Sequence, residues 1–192
     1  MSSLKANFQE VMDRVKAGRE FGHASFEPIF YLVLPPSEIL EAKRQLPAFI
    51  SKLRIDGWEP QVFSVAIEIQ EIFEKIPDKI RELWLAADAK APLEWERTNK
   101  TLANAVAKGA LLSRLESRLV ELEKKPNSIL LITDLEALHP YLRIGSIESQ
   151  LQGKFTATTV FFYPGMRTGK TQLRFLGFYP EDGNYRSVHV GG

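Results

Sequence analysis

Pro28-Ile29-Phe30-Tyr31-Leu32-Val33-Leu34-Pro35-Pro36 is the stretch on which the fold turns. Six consecutive apolar residues leave no polar face, and prolines close the run at both ends. An apolar run this short reads as a strand buried on both sides, the kind found in parallel sheets covered by helices. The next residues read as the start of a helix. Ser37 is a suitable N-cap, and Glu38 and Glu41 suit the positive end of the helix. Leu46, Phe49, Ile50 and Leu53 give that helix an apolar face, Pro47 is expected to kink it, and Gly57 ends it. Residues 61–67 then read as a second strand. A strand–helix–strand unit predicts two parallel strands joined by a right-handed crossover.

The same signature recurs at Asn127-Ser128-Ile129-Leu130-Leu131-Ile132-Thr133-Asp134, which is again apolar through its centre. Between the two strand regions, residues 68–90 read as one or two helices broken near Pro77. Residues 92–124 read as one long helical stretch, with Leu112, Leu115, Leu119 and Leu122 as a core stripe. Residues 138–151 read as a shorter helix and residues 155–163 as a fourth strand. Residues 172–179 and 185–190 read as further strands, with turns at 165–169 and 181–183. The expectation is an α/β fold: a single domain over residues 1–192, with a mostly parallel central sheet flanked by helices and an antiparallel C-terminal extension. Before the first strand, residues 3–19 carry Leu4, Phe8, Val11, Met12 and Val15 at spacings of three and four. This predicts an amphipathic helix that packs on its own domain. Residues 1–20 are alternatively a docking helix for a partner.

Composition excludes several classes. The 192 residues include no cysteine, so disulfides, thiolate metal sites and cysteine nucleophiles are excluded. No apolar run reaches membrane-spanning length. The N-terminal stretch has no basic segment leading into an apolar one, and a cytoplasmic location is expected. Twenty-five Lys and Arg against 24 Asp and Glu leave a formal charge of +1, less than proteins that bind DNA through phosphate contacts usually carry. The charge is tilted: residues 150–192 hold Lys154, Arg167, Lys170, Arg174 and Arg186 against only Glu181 and Asp182, a net of +3.

Four patterns suggest chemistry, and each has a plainer explanation. Gly165-Met166-Arg167-Thr168-Gly169-Lys170-Thr171 resembles a phosphate-binding loop. It is one residue too short, and it precedes a strand where such a loop must open a helix. A hairpin turn is expected there, and no nucleotide site. Asp134 and Glu136 follow an apolar strand, where α/β ligand sites form, but acids in that position also cap helices, the preferred reading. Asp134, Glu136 and His139 could offer metal ligands, yet nothing in their spacing makes them converge, and His23 and His189 stand alone; no metal or cofactor is expected. Phe161, Phe162, Tyr163, Arg174, Phe178 and Tyr185 interleave aromatics with arginine. They could stack bases, though sheet core is the better reading. No G-x-S-x-G elbow exists, so no nucleophile is assigned and no catalytic residue is expected.

The C-terminal part carries a distinctive set of residues: Leu142 and Arg143 with Ile147, Leu151 and Gly153, then Thr159-Val160-Phe161-Phe162-Tyr163-Pro164-Gly165, Leu173 to Tyr179, and Asp182-Gly183-Asn184-Tyr185-Arg186. Over about residues 128–192 this resembles the BrxB family, a small component of BREX bacteriophage-exclusion systems. The segment after Gly165 departs from commoner members. The resemblance implies a bacterial, cytoplasmic protein encoded beside a methyltransferase, a large ATPase and the phosphatase-like protein PglZ. It implies no established catalytic residues.

The leading expectation is therefore a non-catalytic adaptor or assembly factor for a BREX defence complex, with PglZ as its partner and the ATPase or methyltransferase as other candidates. Phe8 and Met12 on the N-terminal helix, with Arg143, Arg174 and Tyr185 further on, are the expected partner-binding residues. Two other readings stay open. One is a nucleic-acid-binding module that uses the basic C-terminal segment. The other is a degenerate nucleotide hydrolase that uses Asp134, Glu136 and Lys170.

Overall fold

The structure, a computed structural model, describes residues 4–21, 27–107, 109–169, 172–182 and 187–192. Seven helices and seven strands are assigned among them. In chain order they are α1 (Leu4–Phe21), β1 (Ile29–Leu34), α2 (Ile39–Ile55), β2 (Glu59–Ser64), α3 (Val65–Glu74), α4 (Asp78–Lys90), α5 (Trp95–Ala107), α6 (Ala110–Glu123), β3 (Ser128–Thr133), α7 (Ile144–Gln150), β4 (Thr158–Arg167), β5 (Leu173–Phe175), β6 (Glu181–Asp182) and β7 (Val188–Gly191). Short 3-10 turns occupy Pro36–Glu38 and Leu135–Leu138.

Five strands form a parallel sheet in the order β2-β3-β4-β1-β7. Every residue of β1 and β3 is buried, as continuous apolar runs require when both faces are covered. Side chains alternate between two cores. Tyr31, Val33, Leu130, Ile132, Phe161 and Tyr163 face a layer of α3, α5, α6 and α7. Phe30, Leu32, Leu131, Val160 and Phe162 face α1 and α2. Right-handed crossovers account for this division. The chain crosses the sheet one way from β1 to β2 and returns from β2 through β3 to β4, so the connecting helices must lie on opposite faces.

Several boundaries differ from expectation. β1 and β2 are parallel members of one sheet but not neighbours, because β3 and β4 lie between them. The second strand ends at Ser64, and Val65–Ile67 begin α3; the Ser64 hydroxyl accepts the Ile67 N–H at 3.3 Å and caps that helix. Ser37 caps nothing: it lies inside a 3-10 turn, and α2 starts two residues later without a side-chain cap. The long stretch after Pro92 is two helices, separated where Gly109 takes a φ of +86°. The antiparallel extension is present where β4 pairs β5 and β5 pairs β6. The last strand, β7, leaves it and joins the parallel sheet beside β1.

Gly165 has an unexpected place. It lies within β4, not in a turn, opposite Phe175. A Cβ there would stand 2.3 Å from the Arg174 carbonyl oxygen. Close approach of β5 to β4 therefore demands glycine, which gives Gly165 a structural role of its own.

Candidate functional site

The carboxyl ends of parallel strands are where α/β sheets place ligands, and a cleft opens there between α2 and the ends of β1, β3 and β4. Leu34, Ile39, Ala42, Leu46, Phe162 and Pro164 wall it. Its polar side is Asp134, the residue after β3, held with a left-handed φ of 59°. The Ser64 hydroxyl donates to Asp134 Oδ2 at 2.6 Å and the Thr133 hydroxyl donates to it at 2.9 Å. Lys43 reaches down from α2, with Nζ 2.7 Å from Asp134 Oδ1 and 2.6 Å from Glu136 Oε1.

Electrostatics fix the charge states. Burial pushes the Asp134 carboxyl up, but the hydrogen bonds from Lys43, Ser64 and Thr133 outweigh it and hold the group below the usual carboxylate range. Burial pulls Lys43 down, but its bonds to Asp134 and Glu136 outweigh that and raise it above an ordinary lysine. The pair is thus a carboxylate and an ammonium. A protonated Lys43 has no lone pair with which to act as a base, and the Asp134 carboxylate is already committed to three donors. The cleft holds about 40 Å³, far below the roughly 300–1,000 Å³ of typical small-molecule pockets. This arrangement fastens α2 to the end of β3. The expectation that Asp134 caps a helix is corrected: it precedes the 3-10 turn but makes no side-chain cap there.

The three residues weighed as metal ligands, Asp134, Glu136 and His139, separate. Asp134 and Glu136 converge on Lys43, while His139 hydrogen bonds the Tyr179 hydroxyl through Nδ1. Among the described residues no group of three or more His, Cys, Asp or Glu is arranged to hold a metal ion.

The expected partner-binding residues also disperse. Phe8 and Met12 are corrected as surface contacts: Phe8 is 1% exposed and Met12 is 0% exposed. Phe8 stacks on Phe49 with ring centroids 3.9 Å apart. The apolar face of α1 is thus consumed by its own domain, through van der Waals packing on α2 and the sheet. Arg143, half-buried, lies over the Tyr179 ring at 5.0 Å. Arg174, on β5, pairs with Glu181 at 2.9 Å. Tyr185 lies outside the described residues, as do Lys170, His23 and the Asn184–Arg186 element. Of the aromatics weighed for base stacking, Phe161, Phe162 and Tyr163 are core, and Phe178 is exposed.

A different surface stands out. No residue of α4 is buried, and Val106 is the buried residue of α5. Along this hairpin Leu83 is 68%, Leu85 69%, Leu93 92% and Trp95 56% exposed. Isolated exposed apolar residues are ordinary, but α4 carries Leu83 and Leu85 without any buried residue of its own, and Leu93 and Trp95 extend the exposed apolar surface toward α5. Sequence reasoning missed it because periodicity reports apolar residues without saying what covers them. The available signal was the scatter of Leu83, Trp84 and Leu85 around the helix, which no single core face can accommodate.

A family model described as BREX protein BrxB matches residues 65–190. The match runs from the start of α3 into β7 and so includes the α4–α5 hairpin and the antiparallel extension. No curated protein and no solved structure matches the chain.

Proposed function

The chain belongs to the BrxB family of BREX proteins, and we propose that it serves as a non-catalytic adaptor in a BREX-type bacterial anti-phage complex, binding the phosphatase-like component PglZ. The exposed apolar hairpin α4–α5 carries this reading. Leu83, Leu85, Leu93 and Trp95 contribute little to the core of their own domain, yet they lie within the segment that the family model matches. Large apolar and aromatic side chains are the usual anchors of protein interfaces, with tryptophan foremost among them. The cleft at the sheet edge supports the same reading, since its charged groups are committed to each other. No described helix is long and apolar enough to cross a membrane.

The experiment is co-expression of the tagged chain with its neighbouring genes, followed by capture and native mass spectrometry. Recovery of PglZ with the wild-type chain, and its loss with Leu93→Ser and Trp95→Ser, is the expected result. Recovery of PglZ unchanged by these substitutions would move the interface elsewhere. Recovery of the ATPase or methyltransferase in place of PglZ would change the partner. Recovery of the chain alone would remove the adaptor reading.

A further inference from the structure

From the core aromatics of β4 a chain of rings runs out through Phe175 and Tyr179 to the surface. Phe178 is 64% exposed. Its ring stacks on Tyr179, with centroids 4.7 Å apart and planes inclined by 30°. The exposed His139 ring meets both edge-on, at 5.4 Å from Phe178 and 5.5 Å from Tyr179. The Arg143 guanidinium lies 5.0 Å from the Tyr179 centroid and has no ion pair among the described residues. Exposed Pro140 and Pro180 adjoin the group in sequence.

These rings are held in place. Phe175, 4% exposed, packs on Tyr179 at 5.6 Å and anchors it to the core. The Tyr179 N–H donates to the Phe175 carbonyl at 3.2 Å, and the Leu176 N–H to the Pro164 carbonyl at 2.8 Å. His139 is tied to Tyr179 by the hydrogen bond between its ring and the phenol. The result is a pre-formed stack with one ring, Phe178, mostly open to solvent.

We propose that this stack is a binding platform for single-stranded nucleic acid, in which an unpaired base stacks on Phe178 and Arg143 supplies positive charge beside it. The inference goes beyond the adaptor role and does not depend on it. Proteins that hold single strands combine aromatic rings with cations, because every base has a π-face and every nucleotide a phosphate. Both ingredients meet here, with Phe178 and Tyr179 inside a C-terminal segment whose net charge is +3 over residues 150–192. Phe178 is mostly exposed to solvent. A ring whose other face is already stacked on Tyr179 offers a flat base a ready partner, and base–aromatic stacking needs no pocket. A duplex, with its bases already stacked on each other, offers no free face to it.

The test is fluorescence anisotropy of a labelled oligo-dT strand of about 20 nucleotides, titrated with the full chain at about 50 mM and about 200 mM salt. A blunt duplex of equal length is the comparison. The expected result is binding of the single strand at low salt, steep weakening with salt, and weaker binding of the duplex. Phe178→Ala is expected to weaken binding about tenfold, while Phe178→Trp, which keeps a ring, retains it. Circular dichroism confirms that each variant is folded; the exposure of Phe178 makes both substitutions structurally mild. No binding of the strand at low salt overturns the proposal. So does binding that Phe178→Ala leaves unchanged. Loss of captured protein partner in Phe178→Ala without any oligonucleotide binding would likewise overturn it and assign the stack to a protein interface.

Discussion

Lys43 of α2 and Asp134 at the end of β3 form an ion pair, Nζ to Oδ1 at 2.7 Å, that joins a helix on one face to the carboxyl edge of the sheet. The lysine side chain is 46% exposed and the aspartate side chain 17%, so solvent weakens the attraction without removing it. Lys43→Met is expected to destabilise the fold by about 1–2 kcal/mol, because it leaves a half-buried carboxylate with hydroxyl partners alone. The urea midpoint reads this directly. The pH dependence carries the sign of a depressed carboxylate. Asp134's contribution is present at neutral pH and lost as pH falls through its lowered folded value. The variant should therefore lose less stability on acidification than the parent.

Glu148 on α7 behaves in the opposite way. Burial raises its carboxyl to about 7, with Glu27 and Asp182 adding to the shift and the Tyr31 hydroxyl, which donates to Glu148, opposing it. A raised carboxyl keeps its proton longer in the folded state. Stability from this group is present at low pH and falls as pH rises from about 4.5 to about 7. His189 is pushed down to about 4, chiefly by burial and then by Arg167. Its contribution is complete above its unfolded value and is lost as pH falls toward 4. The two slopes oppose each other across the same window. Glu148→Gln removes one of them. Its stability should rise with pH between 4 and 7 where the parent stays flatter, with a gain at pH 8 of at most about 3 kcal/mol. Urea titrations across that range check both slopes.

Phe8→Ala should cost about 3–5 kcal/mol, since it empties a site stacked on Phe49 and packed near Phe162. Thermal unfolding measures it. A change this large distinguishes a helix that belongs to the core from one held in reserve for a partner.

Gly165→Ala forces a methyl group to within 2.3 Å of the Arg174 carbonyl oxygen and 2.6 Å of the Tyr163 ring. Backbone cannot yield as a flexible side chain does, so a loss of about 2 kcal/mol or more is expected. Lys170→Ala serves as the counterpart: an ATP-binding signal lost in that variant alone would revive the phosphate-loop reading.

Leu83→Ser and Leu93→Ser should change the melting temperature little, corresponding to about 0.5 kcal/mol or less. Both side chains are already more than two-thirds in water, at 68% and 92% exposure. The same substitutions at Leu115 or Leu119, which are fully buried, should unfold the protein. The contrast separates surface kept for binding from surface kept for folding.

Much of the architecture was legible before any coordinates. Six apolar residues between prolines identified β1, and the shorter apolar run Ile129–Ile132 identified β3. The apolar stripe of α1 follows the helical period and is buried; in α6 Leu115, Leu119 and Leu122 are buried with Leu111, while Leu112 is half-buried. Boundaries were less legible where local signals compete. Residues 65–67 are β-branched or small and read as strand, yet Ser64 caps a helix there and the strand ends. The break at Gly109 was missed because helix-compatible apolar residues, Val106 before it and Leu111 after it, continue on both sides.

Sequence by itself determined the layers: which segments are strands buried on two faces, which helices carry an apolar stripe, and that cysteine chemistry is excluded. These properties depend on the local order of side chains, which the chain states outright. Only the tertiary structure decided which strands are neighbours, that Phe8 and Met12 belong to the core, that Lys43 meets Asp134 and Glu136 across distant elements, and that the α4–α5 hairpin keeps its leucines in water. Each of these depends on what lies opposite a given face, and hydrophobic periodicity marks a face as apolar without saying whether the same chain covers it.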